Sequence, residues 1–397
     1  MATPVILAAR RTPIGRFMGG LSRTPSPVLG SYAISAVLDD VPAARDHVDE
    51  CIMGCVLQAG LGQNPARQAG LKAGLPDTLS AQTVNKVCGS GLQAVMTAAQ
   101  SIKAGDNELV IAGGMENMSA APHMAAVRAG IKLGNAPLVD HMQADGLDCA
   151  FENWAMGCAA DHIASEHGIS REEQDRFAAQ SHARAQAAAD NGWFDGEIVP
   201  LTGEQVGNRR DPSPEGGVPR DEGIRPETTA ESLARLRAVF TKDGTVTAGN
   251  ASQISDGAAA TIVASEEKAK AIGAAPLARI VDYFTSGVAP KDIFHAPAIG
   301  VAEVLQRNGL SPADVDLFEI NEAFAAQVLE NNKYLGIPED KLNVCGGGVA
   351  LGHPIGASGA RVLTTLLHQL KRTGGTRGIA SLCLGGGNSV TMLVEMA

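Results

Sequence analysis

Ser90-Gly91, the run Leu92 to Ala104, the apolar Leu109-Val110-Ile111-Ala112 and the pair Gly113-Gly114 read in order as turn, helix, strand and glycine turn. The same order returns in the second half as Ser358-Gly359, a helical run from Ala360 to Lys371, the strand Gly378 to Leu384 and Gly385-Gly386-Gly387. Working backwards from both anchors lengthens the match. Glu50 to Leu57, a helix over Pro65 to Ala73 and a strand at Gln82 to Asn85 stand against a strand at Val315 to Asn321, a helix from Glu322 to Leu335 and a strand at Leu342 to Val344. Alternating strand and helix implies right-handed crossovers and sheets buried by helices. Self-similarity in that order predicts two related α/β halves. Between them, roughly Glu116 to Ala251 breaks the pattern with a helix from Arg171 to Ala189 and a proline-, glycine- and charge-rich segment, Asn208 to Glu227. An insertion this long in a compact protein is expected to cover the substrate.

At 397 residues the chain exceeds the roughly 250 to 300 at which one hydrophobic core stops growing, so at least two cores are expected. Its 46 glycines and 4% aromatic content suit helices lying close to a sheet. A formal net charge of -11 argues against a general nucleic-acid surface, which needs a concentrated basic face, and leaves room only for a local basic pocket. Val5-Ile6-Leu7-Ala8-Ala9 precedes Arg10-Arg11, the reverse of a secretory signal, and no later apolar run is long enough for a bilayer. A cytoplasmic protein without membrane partners is therefore expected. The seven scattered cysteines form no disulfide framework and predict reduced thiols. Cys51 and Cys55 lack the further ligands of a zinc site and are expected in a core. No metal, flavin or nicotinamide signature accompanies the glycine runs.

Four segments carry chemistry. In Asn85-Lys86-Val87-Cys88-Gly89-Ser90-Gly91 a cysteine lies between strand and helix, where free backbone N–H groups and the helix dipole favour a thiolate. A lone cysteine beside packing glycines is more often inert, so its partners matter. Gly346-Gly347-Gly348-Val349-Ala350-Leu351-Gly352-His353-Pro354-Ile355-Gly356-Ala357 occupies the repeat-equivalent turn, so His353 faces a base position, with an ordinary imidazole pKa of about 6.5. Leu382-Cys383-Leu384-Gly385-Gly386-Gly387 ends a strand with a second cysteine and accessible amides suited to an oxyanion. In Asn321-Glu322-Ala323-Phe324 the asparagine suits either a water or carbonyl contact or the N-cap of the next helix.

Taken together, in this order and over essentially the whole chain, the segments resemble the thiolase family. The resemblance implies duplicated α/β halves in a five-layer αβαβα arrangement with an inserted loop domain. Its divisions are residues 1–117 with 253–275, the loop domain 118–252, and 276–397. It further implies that Cys88 forms an acyl thioester, His353 activates it, Cys383 moves the α-proton, and Asn321 holds an oxyanion-hole water. The amides of Cys88 and Gly385 would form a second oxyanion hole. Gly244-Thr245-Val246-Thr247-Ala248-Gly249-Asn250-Ala251-Ser252 matches the pantetheine path, which carries Ala248 and Ser252 over as coenzyme A contacts. Arg225, Ser232 and Phe240 fall where the loop domain meets the nucleotide end, and Met156 and Phe324 are carried over as substrate contacts. Many acetoacetyl-specific members have His before a Met-Gly pair, whereas this chain reads Trp154-Ala155-Met156-Gly157, and its tail reads Gly387-Asn388-Ser389.

The implied reaction is condensation of two acetyl-CoA to acetoacetyl-CoA plus CoA, and the reverse thiolysis, with CoA thioesters as substrates and no other cofactor. A degradative 3-ketoacyl-CoA thiolase for longer chains is the nearby alternative. Decarboxylating ketoacyl synthases share the duplicated fold but commonly lack a second catalytic cysteine, so Cys383 argues against one. A non-catalytic acyl-CoA-binding protein would be marked by a lost catalytic residue, and each position is intact. The family habit also implies a homodimer or homotetramer, with tetramer contacts from the insertion.

Overall fold

A computed structural model describes residues 2–207 and 216–397. The stretch 208–215 of the charge-rich segment lies outside the described residues. In chain order the principal elements begin with β1 (Pro4–Arg11), α1 (Ser26–Asp40), β2 (Glu50–Gly54), α2 (Pro65–Lys72), β3 (Ser80–Val84), α3 (Ser90–Ala104) and β4 (Leu109–Asn117). The insertion contributes α4 (Met156–His167) and α5 (Arg171–Asp190). Then come β5 (Ser255–Ser265), β6 (Ala278–Gly287), α6 (Ala296–Arg307), β7 (Leu317–Ile320), α7 (Ala325–Leu335), α8 (Ser358–Thr373), β8 (Arg377–Leu384) and β9 (Asn388–Met396).

The strand order in the first half is β3-β2-β4-β5-β1, with β2 parallel to β3 and β4, and β5 antiparallel to both β4 and β1. The second half repeats it as β7-β8-β9-β6, again parallel and then twice antiparallel. The two sheets meet along one antiparallel edge, Val5 opposite Arg279 and Ile6 opposite Ala278. The counterpart of β3, read as a strand from Leu342 to Val344, shrinks to a single bridge between Leu342 and Phe318. Asn343 there takes φ +46° and turns its side chain to donate to Ile320 O at 2.8 Å and accept from Ile320 N at 2.9 Å, so an amide replaces further backbone pairing.

Side-chain alternation sorts these elements into five layers. Leu109 and Ile111 of β4 pack outward with Leu29 and Ile34 of α1. Val110 and Ala112 pack inward with Leu92 and Val95 of α3, Val362 and Leu366 of α8, and Ala380, Val390 and Met392 of the second sheet. Ile379 and Leu393 face outward to Val301 and Val304 of α6 and Val328 of α7. The order is therefore α1/α2, first sheet, α3/α8, second sheet, α6/α7, the five-layer arrangement of two duplicated α/β halves.

In the central layer α3 and α8 touch at their N-termini. A Cβ on Gly91 would stand 2.8 Å from Ala360 N, and one on Gly359 would stand 2.8 Å from Leu92 Cβ. Both helices end on left-handed glycines, Gly105 at φ +85° and Gly374 at φ +70°. Gly113-Gly114, read as a turn, instead lies inside β4. A side chain at Gly114 would strike Gly356 O and one at Gly113 would strike Ala259 O. The glycines there admit neighbouring backbone rather than a change of direction.

Candidate active site

Between β3 and α3 the chain turns through residues 85–89. Val87 takes φ +46°, a region that a β-branched residue occupies only under constraint. The constraint comes from Ser90. Its hydroxyl accepts from Lys86 N at 2.8 Å and donates to Val87 O at 2.6 Å. The strained turn ends in Cys88, whose sulfur receives its own amide and that of Gly385. Those amides, taken alone, would favour the thiolate expected from the sequence. Burial overrides them and pushes the thiol up to about 12, so Cys88 rests protonated.

His353 is carried by residues 343–357, the turn that precedes α8, and is buried. Its Nδ1 lies 2.6 Å from Ser358 Oγ, and that hydroxyl donates its single proton to Pro354 O at 2.9 Å. Nδ1 must then be the protonated nitrogen and Nε2 the one that carries the lone pair. Burial, and after it the Arg361 cation, lowers the ring pKa from its ordinary value to about 3, so the imidazole is a neutral base across the physiological range. Glu322 anchors the glycine-rich loop, accepting from Ser181 Oγ at 2.6 Å, Asn343 Nδ2 at 3.1 Å and Val349 N at 3.1 Å. Gly356 N donates to Glu116 Oε2 at 2.9 Å and ties the loop to the first half.

Cys383 is the penultimate residue of β8 and is buried, and its thiol is pushed well above the ordinary value by burial and then by Cys88 nearby. Asn321 lies behind His353, its Nδ2 at 3.4 Å from Nδ1 and 3.5 Å from Nε2. Its Oδ1 accepts from Arg361 Nη2 at 3.2 Å. It is not a helix cap, because α7 begins later, with Phe324 at the N-cap.

These groups meet at a cavity of about 540 Å³. Cys88, His353, Cys383 and Gly385 line it, together with Met156, Ala248, Ser252 and Phe324. Arg225 and Phe240 line it too. Asn321 stands behind the wall, and Ser232 lies elsewhere, exposed, its hydroxyl donating to Thr229 O at 2.8 Å in a short helical turn. Ser252 is fixed through its amide to Ala323 O at 3.0 Å. The strip before it hangs on buried Asp161, which accepts from Thr241 Oγ1 at 2.7 Å, Thr245 N at 2.7 Å and Val246 N at 2.9 Å. Gly157 has no room for a side chain because the Phe240 ring lies against it. Among the described residues no group of His, Cys, Asp and Glu is arranged to hold a metal ion.

Reading motifs alone misses Ser358, Arg361, Glu322 as loop anchor and Asp161. Only Ser358 left a signal: Ser-Gly opens both duplicated helices.

Known proteins resemble this chain along its whole length. The model described as thiolase, N-terminal domain, matches residues 4–267, and that for thiolase, C-terminal domain, matches 274–396. An acetyl-CoA acetyltransferase of Cupriavidus necator is 50% identical over 396 residues, all of both chains. A probable acetyl-CoA acyltransferase of Staphylococcus epidermidis is 49% identical over 396 residues, 100% of this chain and 99% of its own. The crystal structure of the Bacillus anthracis acetyl-CoA acetyltransferase superposes with a TM-score of 0.96 at 43% identity, covering 100% of this chain and 99% of that one. With both halves matched end to end and the duplicated sheets in place, the chain belongs to the thiolase family.

Proposed function

We propose that the protein is an acetyl-CoA acetyltransferase that condenses two acetyl-CoA to acetoacetyl-CoA and CoA, and runs the same steps backwards as thiolysis. The observation that carries this reading is a neutral His353 with an unprotonated Nε2, lining one cavity with two protonated thiols.

In the forward direction His353 Nε2 takes the proton of Cys88 as its sulfur attacks the acetyl carbonyl. The amides of Cys88 and Gly385 donate to the resulting oxyanion. CoA leaves as the thiol, taking the proton of Cys383 and leaving a thiolate there. That thiolate removes the α-proton of the second acetyl-CoA, whose enolate oxygen meets His353 and a water held by Asn321. The enolate carbon attacks acetyl-Cys88, and the released Cys88 sulfur recovers its proton from His353. Protons balance over the cycle, and both cysteines end as thiols, the state that burial favours. Ala248, Ser252, Met156, Phe240 and Phe324 then line the pantetheine path, with Arg225 toward the nucleotide; Ser232 contributes only if a bound nucleotide extends over the surface.

CoA thioesters are the only carriers this scheme needs. The same reading divides the chain into residues 1–117 with 253–275, 118–252 and 276–397. A homodimer or homotetramer is proposed, supported by the unpaired outer edge of β3 and by exposed Val127, Ile131, Leu133 and Leu138 in the insertion. A cytoplasmic location is part of the same reading, and no described helix is long and apolar enough to cross a membrane.

Acetyl-labelled acetyl-CoA should label the wild type and not Cys88→Ala, and equal labelling would refute Cys88 as carrier. Thiolysis rates across chain length test the substrate. Rates that peak at acetoacetyl-CoA support acetyl transfer, whereas rates that rise with longer 3-ketoacyl-CoA would replace it by the degradative reading.

A further inference from the structure

Among the described residues two arginines are buried, and they are treated differently. Arg11 is fully enclosed and fully paired. Its guanidinium donates to Asp221 at 2.7 and 2.9 Å and to Glu197 at 2.7 Å. Arg361 on α8 is 2% exposed, yet its Nε and Nη1 find no hydrogen-bond partner among the described residues. Its nearest carboxylate, Glu319, is 3.7 Å from Nη1, and burial pushes that carboxyl up to about 8, which weakens it as a counter-charge. Among the described residues the one hydrogen bond from the guanidinium goes to Asn321 Oδ1 at 3.2 Å. A buried cation this poorly paired is costly to stability, and such groups concentrate at functional sites.

We propose that Arg361 is a positioning residue: by holding Asn321 Oδ1 it forces the amide to present its NH2 to His353 and to the water that meets the reacting carbonyl. The two ends of an asparagine amide are nearly isosteric, so shape alone does not choose between them. Flipped, the side chain would turn an oxygen lone pair toward the imidazole and toward the negative charge that develops on the enolate. With Oδ1 engaged by a permanent cation, the donor end faces the chemistry at every step, and no reorganisation is needed when charge appears. Arg361 acts on His353 as well. Ser358 and Asn321 touch that ring, Cys88 and Cys383 line the same cavity, Arg361 lies behind Asn321 with Glu319 beside it, Glu322 anchors the loop, and Glu116 is bonded to Gly356. After burial, the charge that depresses the ring is that of Arg361.

This inference rests on the thiolase reading of the site, and its test separates the two. Acetoacetyl-CoA thiolysis would be measured from pH 5 to 9 for the wild type, Arg361→Met, Arg361→Lys, Asn321→Ala and the Arg361→Met/Asn321→Ala pair. Arg361→Met should lose about a hundredfold in kcat, with KM within about threefold of wild type. Its rate should stay as flat as that of the wild type over this range, because a ring at about 3 that gains about one unit on losing a neighbouring positive charge still titrates below pH 5. Arg361→Lys keeps the charge and recovers part of kcat. If Arg361 works through Asn321, the double variant is no slower than Asn321→Ala alone. Additive losses, or an unmoved kcat in Arg361→Met, overturn the proposal. Should Arg361→Met fail to fold, the Arg361→Lys and Asn321→Ala pair runs the same cycle: non-additive losses support the proposal and additive ones overturn it. A wild type that neither cleaves acetoacetyl-CoA nor labels Cys88 would overturn the thiolase reading itself.

Discussion

Ser90 and Ser358 hold the same place in the two halves, the first residue of the central helix before a glycine, and they do different things. Ser90 commits its hydroxyl to backbone, taking Lys86 N and giving to Val87 O, and so locks a tight turn around Cys88. Ser358 gives to Pro354 O and takes the imidazole N–H of His353. The turn in the first half spans residues 85–89, and the turn in the second spans 343–357 and has room to carry a side chain back over the helix N-terminus. Duplication supplied two helix ends facing one another. Divergence in turn length made one a nucleophile's cradle and the other a base's.

What the halves share should be the harder thing to break. Gly359 lets α8 lie against α3, and a Cβ there already stands 2.8 Å from Leu92 Cβ, before any larger group is added. Gly359→Val should destabilise the fold by about 3 kcal/mol or more, seen as a lower midpoint in urea. An unchanged midpoint would mean that the helices part without cost.

What they do not share is tested by Ser358→Ala. Without that oxygen Nδ1–H has no acceptor, and the tautomer with Nε2 protonated becomes competitive. Cys88 acetylation should slow by about 10- to 100-fold, with the KM for acetyl-CoA and the urea midpoint close to wild type. A raised KM at full kcat would instead assign Ser358 to substrate binding.

The depressed His353 pKa gives the second half a pH signature of its own, opposite in sign to that of the buried carboxyls Glu116 and Asp256 in the first. The ring's folded value, about 3, lies below its unfolded value of about 6.5. Between these the unfolded chain binds the extra proton, so this contribution to stability is complete above pH 6.5 and falls away as pH drops toward 3. From pH 7 to pH 5 the loss should approach about 2 kcal/mol at most. Urea unfolding of His353→Asn at both values should show a smaller drop than wild type, and equal drops would place an ordinary, solvated histidine at 353.

The duplication, the helix starts and both cysteines are legible in the sequence because glycine placement and hydrophobic period are local properties of the chain. Gly113-Gly114 reads wrongly as a turn because the same absence of a side chain serves a turn or a close neighbour, and only the second half's Gly356 reveals which. A thiolate is expected at Cys88 because helix ends and amides can be read from sequence, whereas the burial that outweighs them comes from residues far along the chain. Val87 gives no warning, since β-branched residues seldom take positive φ. Arg361 and Asp161 are silent for a similar reason, as their partners lie 40 and about 80 residues away.

Neither half owns the insertion, and its role should separate cleanly from theirs. Asp161 fixes Thr241, Thr245 and Val246 just before the strip with Ala248 and Ser252, and touches no catalytic group. In Asp161→Ala one buried and one half-buried amide lose their acceptor, so the strip should loosen and the KM for acetyl-CoA rise about tenfold, while kcat holds because Cys88, His353 and Cys383 are set by the central layer. Asp161→Asn is the sharper probe. Its remaining oxygen can still accept from Thr245 N and Val246 N, and the Thr241 hydroxyl can rotate to accept from the new NH2 where it formerly donated. The KM should then change by less than about threefold. If the asparagine variant were as impaired as the alanine one, the negative charge rather than the hydrogen-bond pattern would be holding the strip. If kcat fell in both, the insertion would be part of the catalytic frame and the separation between halves and insertion would fail.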